Sequence, residues 1–336
     1  MPDVNSFSRL ALVYAAAGPD PWARSQLTAE AAARLVADNY RLDPTKSILV
    51  RSFVNDVYRI DTTEGSYALK VYRTGRFTTD EVRWEQDLTR HLAQVGLPVP
   101  ADVALRDGDS VGTLDAPEGT RPFALATWIP GRKPQPPWTD ALYRSVGSAL
   151  AGLHSGMDSF SSRHPRRTVR RGDEPEQVVV ALDGDRYRQQ LVAQTAAAAR
   201  IELDRLSAEG LCWGLTHGDP SLDNLHLDEA GAVSFYDFDL AGPGWQVEDL
   251  TGALSTDRAD AFLEGYVAER PLPQVELAAL PWLRILGHID NLKFHLIDKP
   301  ASMGTSTLAE GWVERGFEGL INAARDAGVR AVEDLM

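Results

Sequence analysis

The 336-residue sequence contains a single cysteine, Cys212, so no disulfide can close within the chain. Cys212 lies in the apolar run Leu211-Cys212-Trp213-Gly214-Leu215, where it reads as a small buried hydrophobe and not as a reactive thiol. A reducing cytoplasm is the expected location. Basic residues are scarce relative to acidic ones, 34 Lys and Arg against 48 Asp and Glu, for a formal net charge of −14. That balance disfavours non-specific nucleic-acid binding and admits cationic ligands. No apolar run approaches bilayer-spanning length, and no basic segment precedes an apolar stretch near Met1, so neither a membrane span nor a secretory signal is expected. Solenoid-type repeats and compact His/Cys clusters with zinc-ligand spacing are missing as well.

What is present is enough apolar sequence, 43%, to build a core without staples. Gly18-Pro19-Asp20-Pro21 breaks regular structure and predicts a loose arm over residues 1–25. Thr28 then caps a helix running to Tyr40, with Ala31, Leu35 and Val36 inward. Three short segments rich in β-branched and aromatic residues follow (47–50, 57–60 and 67–72), split by turn formers such as Glu64-Gly65. They predict an antiparallel meander. A helix is expected from Thr79 to Val95, stopped by Gly96 and Pro98, with further strands near 103–105 and 123–128. The Pro/Gly-rich stretch 129–137 reads as an interdomain connection. Beyond it the pattern is helical (139–154, 184–206 and stretches after Asp249), interrupted by one hairpin, 225–227 and 233–236. The expectation is an α+β, two-lobed fold: a small β-rich lobe, 1–127, and a larger, mainly helical lobe, 128–336.

The chemistry concentrates between His217 and Asp239. His217-Gly218-Asp219-Pro220-Ser221-Leu222-Asp223-Asn224 places Asp219 and Asn224 with the spacing of the kinase catalytic loop H-x-D-x-x-x-x-N. Phosphoryl transfer needs a carboxylate to orient the attacking hydroxyl and accept its proton, a role that suits Asp219. It also needs oxygen ligands for magnesium, which Asn224 supplies, with Asp237 at the end of a short apolar strand as the second. In the β-rich segment, Lys70 sits between apolar residues of a strand, where an ammonium demands a partner. A kinase strand lysine contacts the α- and β-phosphates of the nucleotide and pairs with a helix glutamate. Glu81 and Glu85 are the candidates, and Glu85 is preferred.

These residues together resemble the aminoglycoside phosphotransferase and choline kinase-like superfamily, whose signatures are H-G-D-x-x-x-x-N and, after an apolar strand, I-D-[FW]-[DE]. His217–Asn224 matches the first and Tyr236-Asp237-Phe238-Asp239 the second, with tyrosine in place of the usual isoleucine. Gly242-Pro243-Gly244 and Glu248-Asp249-Leu250 resemble the ending that follows, with Trp245 where aspartate is common. The similarity runs from about Ser47 to Leu254. It implies a protein-kinase-like fold, ATP as the nucleotide (GTP being the other option) and Mg2+. The nucleotide-covering loop, Ser52-Phe53-Val54-Asn55-Asp56-Val57, carries no glycine, and the resemblance gives Ser52 and Asn55 its polar contacts to phosphate. It also puts the adenine against the backbone around Ala126, Thr127 and Trp128. No long activation segment follows Asp239, so a phosphorylation switch there is not expected.

By the same resemblance the acceptor site belongs to the helical lobe. Its candidates are Asp239, Glu248 and Asp257, and a polar set of His288, Asp290, Asn291 and His295. Helical spacing places His288, Asn291 and His295 on one face. The arginines at 163, 166, 167, 170 and 171 read as a solvated, mobile insertion. The resulting expectation is an ATP- and Mg2+-dependent O-phosphotransferase, a monomer or homodimer, acting on a small polar acceptor, with an aminoglycoside or amino sugar first. An amino alcohol of the choline or homoserine type comes next. A protein Ser/Thr kinase and a non-catalytic binding module are the readings from other classes.

Overall fold

The computed structural model describes residues 24–168 and 174–329. Helix α1 (Ala29–Asn39) is capped as its sequence predicts, the Thr28 hydroxyl accepting the Ala31 N–H at 3.2 Å. Val36 is buried and Leu35 packs partly buried against the core, as expected, with Ala32 buried where Ala31 was expected. Strands β1 (Pro44–Ser52), β2 (Asp56–Thr62) and β3 (Ser66–Val71) form the meander. Beyond β3 come β6 (Gly119–Thr127) and β4 (Asp102–Val103), giving the order β1-β2-β3-β6-β4, all antiparallel. β5 (Gly112–Ala116), a hairpin partner of β6, has no counterpart in the sequence reading.

Side chains alternate across these strands. Tyr58, Ile60, Leu69, Val71, Phe123 and Leu125 pack with Ala32 and Val36 into one core. Ala68, Lys70, Ala124 and Ala126 line a cleft on the sheet. Helix α2 (Thr79–Gln94) packs beside it, opened by a capping box in which Thr78 and Glu81 each accept the other's N–H.

The helical lobe comprises α3 (Asp140–Met157), α4 (Pro175–Ala181), α5 (Arg186–Ala208), α6 (Ala259–Glu269), α7 (Gln274–Lys293), α8 (Lys299–Met303) and α9 (Trp312–Asp326) around a larger apolar core. Two small ladders are set into it. β8 (Leu225–Leu227) and β9 (Val233–Phe235) make the expected hairpin; β7 (Trp213–Thr216) pairs with β10 (Gly242–Trp245), which was not anticipated. Segments 217–224 and 236–241 are thereby strung between paired strands.

Two expectations are corrected. Most of the predicted loose arm lies outside the described residues, but Arg24 and Ser25, at its end, are anchored on the sheet: Arg24 bonds Asp56 at 2.5 Å and the Phe53 carbonyl at 2.9 Å, and the Ser25 N–H bonds Glu118. The arginine-rich insertion is docked where it is described. Ser162, His164, Arg166 and Arg167 reach across to α2, because that helix presents Asp80, Glu81 and Asp87 to them. Arg170 and Arg171 lie outside the described residues. Among the described residues no helix is long and apolar enough to cross a membrane.

Candidate active site

Lys70 is the electrostatic centre of the cleft. Its ammonium lies 2.6 Å from Asp237, 3.4 Å from Glu85 and 3.5 Å from Asp239. Glu85 is therefore a partner, as expected, but Asp237 is nearer. Burial pushes the lysine pKa down, and the carboxylates of Asp237, Asp239 and Glu85 more than restore it, so the ammonium stays charged. For Asp237, burial opposes ionisation, and Lys70 overrides it, holding the pKa below the usual range. Asp239 goes the other way, raised to about 6 by burial and by the Asp237 charge, with Lys70 offsetting only part of this. One cation cannot fully compensate two adjacent carboxylates, the second of them buried. Asp237 is also the one described non-glycine residue with positive φ, 67°, a strained conformation of the kind retained where a side chain must be aimed.

The segment from His217 is built from inside. The fully buried His217 ring packs at 4.6 Å on Phe238, bonds the Tyr236 carbonyl through Nε2 (3.2 Å) and faces the Asp219 N–H through Nδ1 (3.4 Å). Burial lowers its pKa, so it is a neutral strut. Gly218, at φ 83°, runs so close to Leu240 that a Cβ would stand 2.4 Å from that residue's carbonyl oxygen. Beneath it, the carboxylate of Asp249 accepts the N–H groups of His217 (2.6 Å) and Gly218 (2.9 Å) and bonds His154 Nε2 (3.0 Å); His154 Nδ1 in turn meets the Tyr266 hydroxyl at 2.9 Å. Burial resists charge on Asp249, and these donors outweigh it, lowering its pKa. In the sequence, Glu248-Asp249-Leu250 is legible only as a motif ending that gives Asp249 no task. No local pattern announces a contact spanning more than thirty residues.

Asp219 is exposed, while Asn224 is buried. Asn224 Nδ2 donates to the Asp219 carboxylate at 2.8 Å and to its carbonyl at 3.0 Å, leaving Asn224 Oδ1 buried without a partner. The Tyr236 N–H bonds the Asn224 carbonyl at 2.9 Å, tying the backbone of Asn224 to the residue before Asp237. A buried unpaired oxygen and an ionised carboxylate are donor types suited to a hard cation such as magnesium.

The cleft continues as a cavity of about 230 Å³, walled by Val57, Ala68, Leu125, Trp128 and Phe238 and floored by Lys70. At its far end the N–H groups of Thr127 and Trp128 are taken by the carbonyls of Ala101 and Ser66. The next N–H, that of Ile129, has no hydrogen-bond partner among the described residues, so the free backbone donor lies one residue beyond the predicted stretch. Strand pairing consumes the earlier donors, which residue identities alone do not reveal.

A model of the phosphotransferase enzyme family, APH, matches residues 48–283. The chain belongs to this family. It is 34% identical over 324 residues to an uncharacterized protein of Deinococcus radiodurans, covering 88% of this chain and 90% of that one. It is 32% identical over 244 residues to a homoserine kinase of Xanthobacter autotrophicus, covering 68% and 73%. Among solved structures it superposes on an amicoumacin kinase in complex with AMP-PNP and Ca2+, with TM-score 0.71, 22% identity and coverage of 85% and 91%, which shows the shared kinase-like fold. The chain is thus an APH-family phosphotransferase that acts on a hydroxyl group of a small molecule.

Several residues singled out in this phosphotransferase sit elsewhere than expected. Ser52 and Asn55 do not present free polar atoms to a phosphate. The Ser52 hydroxyl is tied to Arg24, Gln26 and Asp56. Asn55 bridges the lobes, donating to Asp239 at 2.7 Å and accepting the Arg73 N–H at 3.1 Å. Asp239 therefore faces the Lys70 cluster and not a separate acceptor pocket. Glu248 is buried beneath β10, where a Cβ at Gly244 would stand 3.1 Å from its carboxylate, and Asp257 projects into solvent.

The predicted stripe of His288, Asn291 and His295 does not form one polar patch toward the cleft: α9 covers both histidines, and only His295 lies in the π-turn Phe294–Asp298. His288 packs over Gly319 of α9, Asn291 is exposed, and His295 stacks on Trp312 at 5.5 Å. Burial lowers the pKa of both histidines. The π-turn still reaches the cleft mouth: Phe294 meets Phe53, at the tip of the nucleotide-covering loop, at 5.7 Å between rings. No motif in the sequence marks Arg76. Its Nε is buried without a partner, and its charge acts on both Asp239 and Asp298.

Proposed function

We propose that the chain transfers the γ-phosphate of ATP, with Mg2+, to the hydroxyl of a small acceptor that also carries an amino group, of the homoserine type. The observation that carries the reaction is the convergence of Asp219, Asn224, Asp237 and the Lys70 cluster. Asp219, exposed and steadied by Asn224, orients the acceptor hydroxyl and takes its proton as the new O–P bond forms and ADP departs. Lys70, fixed by Glu85, holds the phosphates. Asn224 Oδ1 and Asp237 hold the cation, which when bound offsets the phosphate charge. The Ile129 N–H receives the nucleotide base at the end of the apolar cavity.

Two features favour a homoserine-like acceptor. Homoserine kinases are relatives at 28–32% identity over two thirds or more of this chain. Arg76 has no ion pair among the described residues, so it is available to a carboxylate. An amino sugar or aminoglycoside, the first choice from sequence, is the second reading, favoured by the fold shared with an aminoglycoside phosphotransferase of Alicyclobacillus acidocaldarius. The test is Mg2+-dependent ADP release across homoserine, other amino alcohols, amino sugars, aminoglycosides and a model protein. Stimulation by homoserine or a close analogue supports the first reading and stimulation by an aminoglycoside the second; stimulation by the protein alone overturns both.

A further inference from the structure

Arg166 belongs to the helical lobe, yet its guanidinium ends among three structures of the cleft. Nε donates to the Ala241 carbonyl at 2.7 Å, Nη2 donates to the Asp239 carbonyl, and Nη1 points to the Glu81 carbonyl of α2 at 3.4 Å. The group lies over two rings, Phe77 and Trp84, each at 5.2 Å. Burial lowers its pKa, with Glu85, Glu81 and Asp239 opposing. Yet it forms no ion pair with a carboxylate among the described residues; it is spent on backbone carbonyls. A desolvated cation used this way does little for charge balance and much for geometry, because its planar fork fixes two acceptors at once.

The residues around it act on the same helix. Ser162 donates to Asp87 at 2.6 Å, His164 lies 3.6 Å from Asp80, and Arg167 pairs with Glu81 at 3.1 Å while donating to the Arg76 carbonyl. Asp80, Trp84 and Asp87 recur at helical spacing, so one face of α2 is strapped to the helical lobe. That helix carries Glu85, and the carbonyls held by Arg166 begin two residues after Asp237.

We propose that Arg166 is a positioning residue for phosphoryl transfer: it locks the backbone following Asp237 to the helix that carries Glu85, and so sets the cation affinity of the site. The inference rests on the kinase reading above. Its test uses the full chain and magnesium with a fluorescent ATP analogue, so that binding is read without an acceptor. Arg166→Lys keeps the charge but cannot span both carbonyls while lying on the rings. Arg166→Lys is expected to raise the Mg2+ concentration for half-maximal nucleotide binding about tenfold or more, the scale of losing one charge-assisted hydrogen bond. It is also expected to lower kcat with little change in acceptor KM. Ser162→Ala, which loosens the strap without touching the carbonyls, is expected to lower Tm but leave the Mg2+ requirement in place. An unchanged Mg2+ requirement and kcat in Arg166→Lys, even with a lower Tm, overturns the proposal and leaves Arg166 a structural brace. Wild-type protein that binds no nucleotide with magnesium overturns the kinase reading itself.

Discussion

Asp249→Asn tests how the loop bearing Asp219 is held. The carboxylate is buried and receives three donors: Oδ2 takes the His217 N–H and bonds His154 Nε2, and Oδ1 takes the Gly218 N–H. An asparagine has the same shape but one acceptor oxygen. With that oxygen kept at the Oδ2 position, the Gly218 N–H faces an amide NH2 and is left unpaired, a loss of about 1–3 kcal/mol. The two remaining bonds lose their charge assistance, about 1 kcal/mol each. Relief of carboxylate desolvation returns part of this, so the net loss is about 3 kcal/mol. Urea unfolding reads it directly, as a lower midpoint at unchanged m-value. Because Asp219 follows Gly218, kcat should fall by about tenfold or more, while the KM for ATP, set by Lys70 and the cavity, should move little. A variant within about 0.5 kcal/mol of wild type, with full kcat, would refute the idea that this network fixes the loop.

Asp239 gives a pH prediction. Its pKa is raised to about 6 in the folded chain, so the folded state binds the extra proton, and stability is lost as pH climbs from about 4 through 6. Asp239→Asn removes this titration; its stability relative to wild type, measured in the absence of nucleotide, should improve between pH 4 and pH 7 by about 2–3 kcal/mol, and a pH-independent difference would contradict it. Gly218→Ala places a Cβ 2.4 Å from a carbonyl oxygen at positive φ, so a loss of at least about 2 kcal/mol, with a sharp fall in kcat, should appear in unfolding and rate measurements. Asn55→Ala cuts the link between the nucleotide-covering loop and Asp239, and should raise the KM for ATP several-fold while leaving acceptor KM unchanged in steady-state kinetics.

Much of the architecture is legible because its signals are local. The meander, α2 and the β8–β9 hairpin follow from periodicity, helix stop signals and turn residues. The spacing of Asp219 and Asn224 survives translation into geometry because both lie within one loop. What escaped the sequence is long-range or depends on backbone detail. β7 and β10 pair across twenty-five intervening residues, and Arg166 lands on carbonyls seventy-three or more positions away. The His288, Asn291 and His295 stripe rested on spacing alone, which does not reveal that α9 covers both histidines and leaves Asn291 exposed. The availability of Ile129 N–H depends on which neighbouring donors the sheet consumes.

The most direct test of the central claim follows the phosphate itself. Wild-type protein and Asp219→Asn are given γ-labelled ATP, magnesium and the best acceptor, and label is measured on acceptor, water and protein. The account predicts label on the acceptor hydroxyl with wild type. With Asp219→Asn it predicts retained nucleotide binding and transfer slowed by about 10²–10⁴-fold. Transfer by Asp219→Asn at the wild-type rate, or wild-type label released only to water whatever acceptor is present, would contradict it.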